Sequence, residues 1–514
     1  MKEIANKSDK QFFFKHNHEN IEEHRTVNRS SGIFYFINTS AITTELHYLN
    51  YWKEKRSLSN VILRLTFRSM KGALLNRLEE KVENVGSHIK SIKSILNQLK
   101  IFEKEGSVEM EFFSNDDMFI SYPAVVIRYV GINWHTSAHT SQRIFSKNSG
   151  DNKELLSGTL LTAEEGNIAI ADLDSSPFFI IHNGPIELPS QNIVHTIIRS
   201  DGEIKSFIQE NIKFKPYETK IIKPLELFES SDFTKNKLVT FTIKFLTTGI
   251  FSRLIAGFEK GNCWSIDHTN FAANYGSSAR DVLKPNKEKN FKNLVFNFPI
   301  NQEWKNSAIF PPSYPKNRSY EITLNGIDID GNVIFNSEIV CGRNKKEEFF
   351  PKFDFFKNEF KFNPEFIISN RKEIPKRFHM VISYQKGIGL PGFIVDGPIP
   401  YTTKGIRTRW LPLFGGNCDN YIIISNRILG SEKPEEVIFK INLFNSFNEK
   451  AIYEEIKIKA FESRCMHISE ICPDSQNFLK NKPGWLYLTS DKEQRCNIHY
   501  ASLLGDSIAC DHAF

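Results

Sequence analysis

One pattern limits what this chain can fold into more than any other. The stretch SYEITLNGIDIDGNVIFNSEIV from Ser319 is an alternating run, a turn and a returning run. Three relatives begin at Asn60 (NVILRLTFRSMKGALLNRLEEKV), Asn192 (NIVHTIIRSDGEIKSFIQENIKF) and Glu436 (EVIFKINLFNSFNEKAIYEEIKI). A period near two, as at Ile322 and Leu324, marks a strand with one buried face. Asp201-Gly202 and Asp330-Gly331 stand where Lys71-Gly72 and Asn448-Glu449 stand in the others. Asp-Gly favours a tight hairpin because glycine accepts positive φ there.

Two more elements recur around this hairpin. Before it lies a short apolar run: GIFYFINTSA from Gly32, PFFIIHNGPI from Pro177, KNLVFNFPIN from Lys292 and DNYIIISNRI from Asp419. After it come a second hairpin and a tail, the tails being NWHTSAHTSQRIF, CWSIDHTNF, GIRTRWLPLF and SIACDHAF. The order predicts a mainly β chain, a tandem array of four Ig-like antiparallel β-sandwich units of about 100 residues each. Their expected spans are 32–146, 177–271, 291–414 and 419–514, after a polar N-terminal extension, 1–31. Polar joints at 146–159 and 274–290 support the division, and the joint at 415–420 is much shorter. Within the first unit, Ile89, Ile92, Ile95, Leu96 and Leu99 are spaced by three and four. That spacing predicts one inserted helix around 87–103.

Composition narrows the functional classes. A net charge of +6 over 514 residues, spread along the chain, does not point to nucleic acid. No run approaches the roughly 18 apolar residues of a membrane-spanning helix, and the N-terminus lacks a secretory apolar core. Seven cysteines without a CxxC pair fit reduced thiols. The expected location is cytoplasmic.

The tails pose the chemical question, because Asp267-His268 and Asp511-His512 echo each other. A shared metal site with His135 or His139 needs ligands within a few ångströms, whereas equivalent points in a linear array lie roughly 25–30 Å apart. The tails are therefore expected to be strand ends anchored by Phe145, Phe271, Phe414 and Phe514, with His268 and His512 at the edge and no metal or other cofactor. In the third unit Arg409-Trp410 is expected to replace the Asp-His pair.

The densest polar cluster, NWHTSAHTSQR, places His135 and His139 on one face of a strand, close to Arg143. With Arg407, Arg409 and Trp410 of GIRTRW, these residues and the two Asp-His pairs are the candidate ligand-binding positions. KGIGLPGF (386–393) and DIDGN (328–332) read as turns rather than as a dinucleotide or Ca²⁺ loop. The expected function is a non-enzymatic binding or scaffold protein for carbohydrate or another protein, with Trp134, Trp264, Trp410 and Trp485 as stacking surfaces. The alternative is an enzyme with a His-containing site in a cleft between units.

Overall fold

The structure is a computed structural model. It describes residues 26–120, 122–139, 142–144, 161–170, 175–228, 231–234, 238–248, 250–251, 253–271, 282–283, 293–301, 303–310, 320–341, 352–355, 363–369, 374–375, 380–396, 406–426, 435–494 and 496–514. Phe145, most of the extension 1–31 and most of both long joints lie outside the described residues.

Antiparallel sheets dominate, and one pairing scheme occurs four times. In the first block Arg29–Ile37, Glu105–Phe113, Val61–Ser69 and Leu74–Val82 lie side by side in that order. The companion sheet runs Ser87–Ser91, Thr43–Leu49, Val125–Val130, His135–Ala138. The two sheets face each other: Tyr48 meets Phe112 edge-on at 5.2 Å, and the Tyr129 hydroxyl donates to the Tyr35 carbonyl at 2.8 Å.

The second block repeats the order with Leu161–Ile170, Val239–Thr248, Leu188–Arg199 and Ile204–Phe214, over Thr219–Ile222, Ser176–His182, Ile255–Lys260 and Cys263–His268. In the third, Asn293–Asn297, Asn363–Ser369, Tyr320–Ile327 and Val333–Cys341 cover Lys352–Phe355, Lys305–Ile309, Met380–Gln385 and Gly392–Asp396. The fourth has Ile406–Leu413, Gly484–Gln494, Val437–Asn445 and Lys450–Ile458 over Ser463–His467, Asp419–Ser425, Asn497–Leu504 and Ser507–His512.

The hairpin turns adopt the conformation their residues favour. Gly72, Gly202, Gly331 and Asn448 all have φ between 67° and 88°. Two strand assignments differ from the sequence expectation. Leu161–Ile170 pairs with Val239–Thr248 and opens the second block before residue 177. In its sequence, LTAEEGNIAI, Glu164, Glu165, Gly166 and Asn167 separate the apolar ends, so no alternation runs through it to reveal a strand. Ile406–Leu413 pairs with Gly484–Gln494, so GIRTRWLPLF opens the fourth block rather than closing the third. A short apolar run does not disclose which sheet will accept its hydrogen bonds. The inserted helix is shorter than expected: Ile92–Gln98, with Ser91 as N-cap. Ser87–Ser91 is instead an edge strand paired with Thr43–Leu49.

The blocks do not form a linear array. Each ends in a closing strand: His135–Ala138, Cys263–His268, Gly392–Asp396 and Ser507–His512. The first closing strand packs on the second and fourth, and the third also packs on the second and fourth, which closes a ring. The hairpin turns are engaged further out. Thr219 N donates to the Met70 carbonyl at 2.9 Å, Arg68 lies over the Tyr217 ring, Gly331 abuts Phe461, and Gly86 abuts Asn448. These contacts join the first block to the second, the third to the fourth and the fourth to the first.

Candidate functional site

The ring brings four equivalent positions to one place. The fifth residue counted from the start of each closing strand is His139, Asp267, Asp396 or Asp511. The two Asp-His pairs make the same bonds. Asp267 Oδ1 accepts from His268 N at 2.6 Å, and Asp511 Oδ1 accepts from His512 N at 2.7 Å. Each second oxygen takes a backbone N–H from another block. Val395 N donates to Asp267 Oδ2 at 2.6 Å, and His139 N donates to Asp511 Oδ2 at 2.8 Å. The echo in the sequence is therefore a repeated inter-block clasp.

The expectation that these pairs lie too far apart to share a site is corrected. It assumed a linear array, and ring closure removes that separation. The His139 ring lies 4.2 Å from that of His512 and 5.0 Å from that of His268, centroid to centroid. Asp267, Asp511 and His268 are fully buried, and His512 is half-buried. The anchors differ too, since Phe414 is buried and Phe514 is half-buried against Trp485. The Phe271 side chain lies outside the described residues.

The hydrogen bonds fix the ring tautomers. His139 Nδ1–H donates to Asp511 Oδ2 at 2.7 Å. His268 Nδ1–H donates to the Thr269 carbonyl at 3.1 Å, and His512 Nδ1–H to the Ala513 carbonyl at 3.3 Å. In each ring Nε2 is left with its lone pair. Arg253 donates to that of His268 at 2.8 Å. Among the described residues, no hydrogen bond reaches Nε2 of His139 or His512.

Burial governs the charge states. Burial and the neighbouring Asp511 charge raise the Asp267 carboxyl well above its usual range, despite two backbone donors. Burial would raise Asp511 as well, but His139 and His512 hold it below the ordinary value. The two carboxylates thus resist being charged together, and the proton stays on Asp267. His268 is driven well down by burial and by Arg253. His512 is lowered to about 4 by burial and His139, with Asp511 opposing. The His268 and His512 imidazoles are therefore neutral near pH 7. Ligand atoms of His139, His268 and His512 lie within 4.8 Å of one another, as do those of His139, Asp267 and Asp511.

The other candidates separate from this centre. His135 is completely buried: Arg128 donates to its Nδ1, and its Nε2–H donates to the Ser502 carbonyl at 2.8 Å. It braces the first block on the fourth. Arg143 is buried in the short pair with Ile250–Phe251, and its guanidinium lies 5.6 Å from the Tyr122 ring centroid. Arg407 is exposed. Arg409 is lowered to about 10 by burial, in the field of Cys496 and Asp396. Trp410 is buried and stacks on Tyr487 at 3.6 Å.

Sequence reasoning missed Asp396, Arg253, Asn497 and His499. Asn497 Nδ2 donates to Asp396 Oδ2 at 2.7 Å, and His499 Nε2 stands 3.4 Å from the same oxygen. Gly392–Asp396 carried the signal, an apolar run ending in Asp as Ser507–Asp511 does. Assigning Arg409-Trp410 to that place concealed it. The glycine loop and DIDGN are turns as expected, with Asp328 Oδ1 accepting from Asp330 N and Asn332 N. None of the six cysteines whose side chains are described, Cys263, Cys418, Cys465, Cys472, Cys496 and Cys510, is in a disulfide, and burial raises every one of these thiols.

No family model and no curated protein matches this chain. Among solved structures, a calcium-binding mutant of Bacteroides uniformis beta-glucuronidase 2 is 9% identical over 48% of this chain and 27% of its own, with a TM-score of 0.13. Trypsin-activated alpha-2-macroglobulin from Escherichia coli is 8% identical over 92% of this chain and 30% of its own, with a TM-score of 0.10. The chain thus spans under a third of either protein, and scores this low carry no argument. No helix among the described residues is long and apolar enough to cross a membrane.

Proposed function

We propose that this chain is a non-enzymatic scaffold of four Ig-like sandwich units in tandem, which presents its outer strands to a protein partner. One observation carries the reading. The returning strand of the long hairpin lies at a sheet edge in every block, and in every block it exposes apolar side chains. They are Leu74 in the first, Ile204, Phe207 and Ile208 in the second, Val333, Ile334 and Phe335 in the third, and Ile452 in the fourth. An edge strand has unpaired backbone groups that an extended segment can join, and apolar side chains add affinity to that pairing. Carbohydrate fits less well, because Trp134, Trp410 and Trp485 are buried and Trp264 packs among Tyr35, Tyr129 and Phe178.

The test places a photo-crosslinking residue at Ile334 and, as control, at Ile388, which is 92% exposed but outside these strands. The reading expects a discrete protein adduct at Ile334 that is lost when Val333 and Phe335 are changed to lysine. No enrichment over Ile388 would overturn it. So would a glycan-array ligand that binds the lysine variant as well as the native chain.

The convergence of His139, His268 and His512 favours a second reading, an enzyme with its site between blocks. His139 would be the base. Its side chain is only 9% exposed, so a substrate would need an opening of the ring. Turnover abolished by His139→Gln in a hydrolase panel would establish this reading, and no turnover in the native chain would remove it.

A further inference from the structure

We infer that the centre of the ring is a transition-metal site of the zinc class, held by His139, His268 and His512. This goes beyond the scaffold reading and does not depend on it. The three rings come from three different blocks, and their ligand atoms already lie within 4.8 Å of one another. Tetrahedral coordination at zinc–nitrogen distances of about 2.0–2.1 Å needs nitrogens about 3.3 Å apart, so a contraction of roughly 1–1.5 Å completes the set. Side-chain rotation covers that range.

The hydrogen bonds behind the rings supply the independent argument. A metal-bound histidine nearly always donates its other N–H to a carboxylate or a carbonyl, which fixes the tautomer and aims the ring. All three rings do this, to Asp511, Thr269 O and Ala513 O. His139 is nine-tenths buried, yet among the described residues its Nε2 has no hydrogen-bond partner.

The surroundings also suit a cation. Asp267 and Asp511 also cluster with His139, with ligand atoms within 4.8 Å of one another, and a divalent ion would balance negative charge there. Imidazole ligands select zinc, copper or nickel over calcium and magnesium. One group competes: Arg253 holds the His268 lone pair and would have to turn toward Asp267 when the ion enters.

The full-length chain, stripped with a chelator and dialysed against micromolar free Zn²⁺, is expected to bind one zinc with a raised melting temperature. His139→Gln and His512→Gln should each weaken binding by tenfold or more. Changing His16, His18 and His24 together to glutamine controls for adventitious histidine binding elsewhere in the chain and should have no effect. Failure of the native chain to retain zinc would overturn the assignment, as would unchanged affinity in His512→Gln. Half-buried His512 makes a single weak hydrogen bond through its ring, so His512→Gln keeps the test decisive if His139→Gln does not fold. Loss of the bound zinc in that triple variant would also refute the site.

Discussion

If the Asp-His clasps close the ring, Asp511 and His139 should be energetically coupled although 372 positions separate them in the chain. Asp511 is fully buried and accepts three hydrogen bonds, from His139 N, His139 Nδ1 and His512 N. Asp511→Asn keeps the shape. An amide oxygen turned toward His139 leaves its NH₂ facing the His512 N–H, two donors with no acceptor between them. One buried unsatisfied donor costs about 1–3 kcal/mol, and making the remaining bonds neutral costs about 1 kcal/mol more. Without the Asp511 charge beside it Asp267 is freer to ionise, which offsets part of this. The net expectation is about 2–3 kcal/mol, read from the urea midpoint by tryptophan fluorescence. A double-mutant cycle with His139→Ala isolates the pair and should give a coupling of about 1–3 kcal/mol. Coupling below about 0.5 kcal/mol would mean that the two strands do not meet in solution, and the ring would be refuted.

Acid should destabilise the protein well above the carboxylate range. Burial lowers His182 from 6.5 to about 3, so the unfolded chain binds the extra proton first and stability falls as pH drops from about 6.5 to 3. This one group contributes on the order of 4 kcal/mol, and urea midpoints that stay flat over that window would contradict it. Gly72 has φ +84°, and a Cβ there would collide with the Pro216 carbonyl of the second block, whereas Gly261 at φ +60° has open space. Gly72→Ala should cost well over the roughly 1 kcal/mol expected of Gly261→Ala, and equal thermal shifts would remove that contact. Trp485 is completely buried, so Trp485→Ala should cost about 3–5 kcal/mol in urea unfolding, against under about 1 kcal/mol for exposed Ile388→Ala.

The sequence by itself determined the local structure. Alternating residues around Asp201-Gly202 and Asp330-Gly331 specify hairpins, because strand period and positive φ are properties of a few adjacent residues. Ser91 and the apolar spacing after it likewise specify a helix, although only Ile92–Gln98 forms one, since Ser87–Ser91 finds a strand partner in Thr43–Leu49. The Asp-His echo was visible too. Tertiary structure decided everything that depends on which strand lies beside which. It gave Ile406–Leu413 to the fourth block, put Asp396 in the place read for Arg409-Trp410, and made Leu161–Ile170, which has no sustained alternation, a strand. It also folded the array into a ring and so turned separate strand ends into one buried cluster. Pairing and ring closure are settled by backbone hydrogen bonds and packing between residues hundreds of positions apart, and no local pattern encodes those partners.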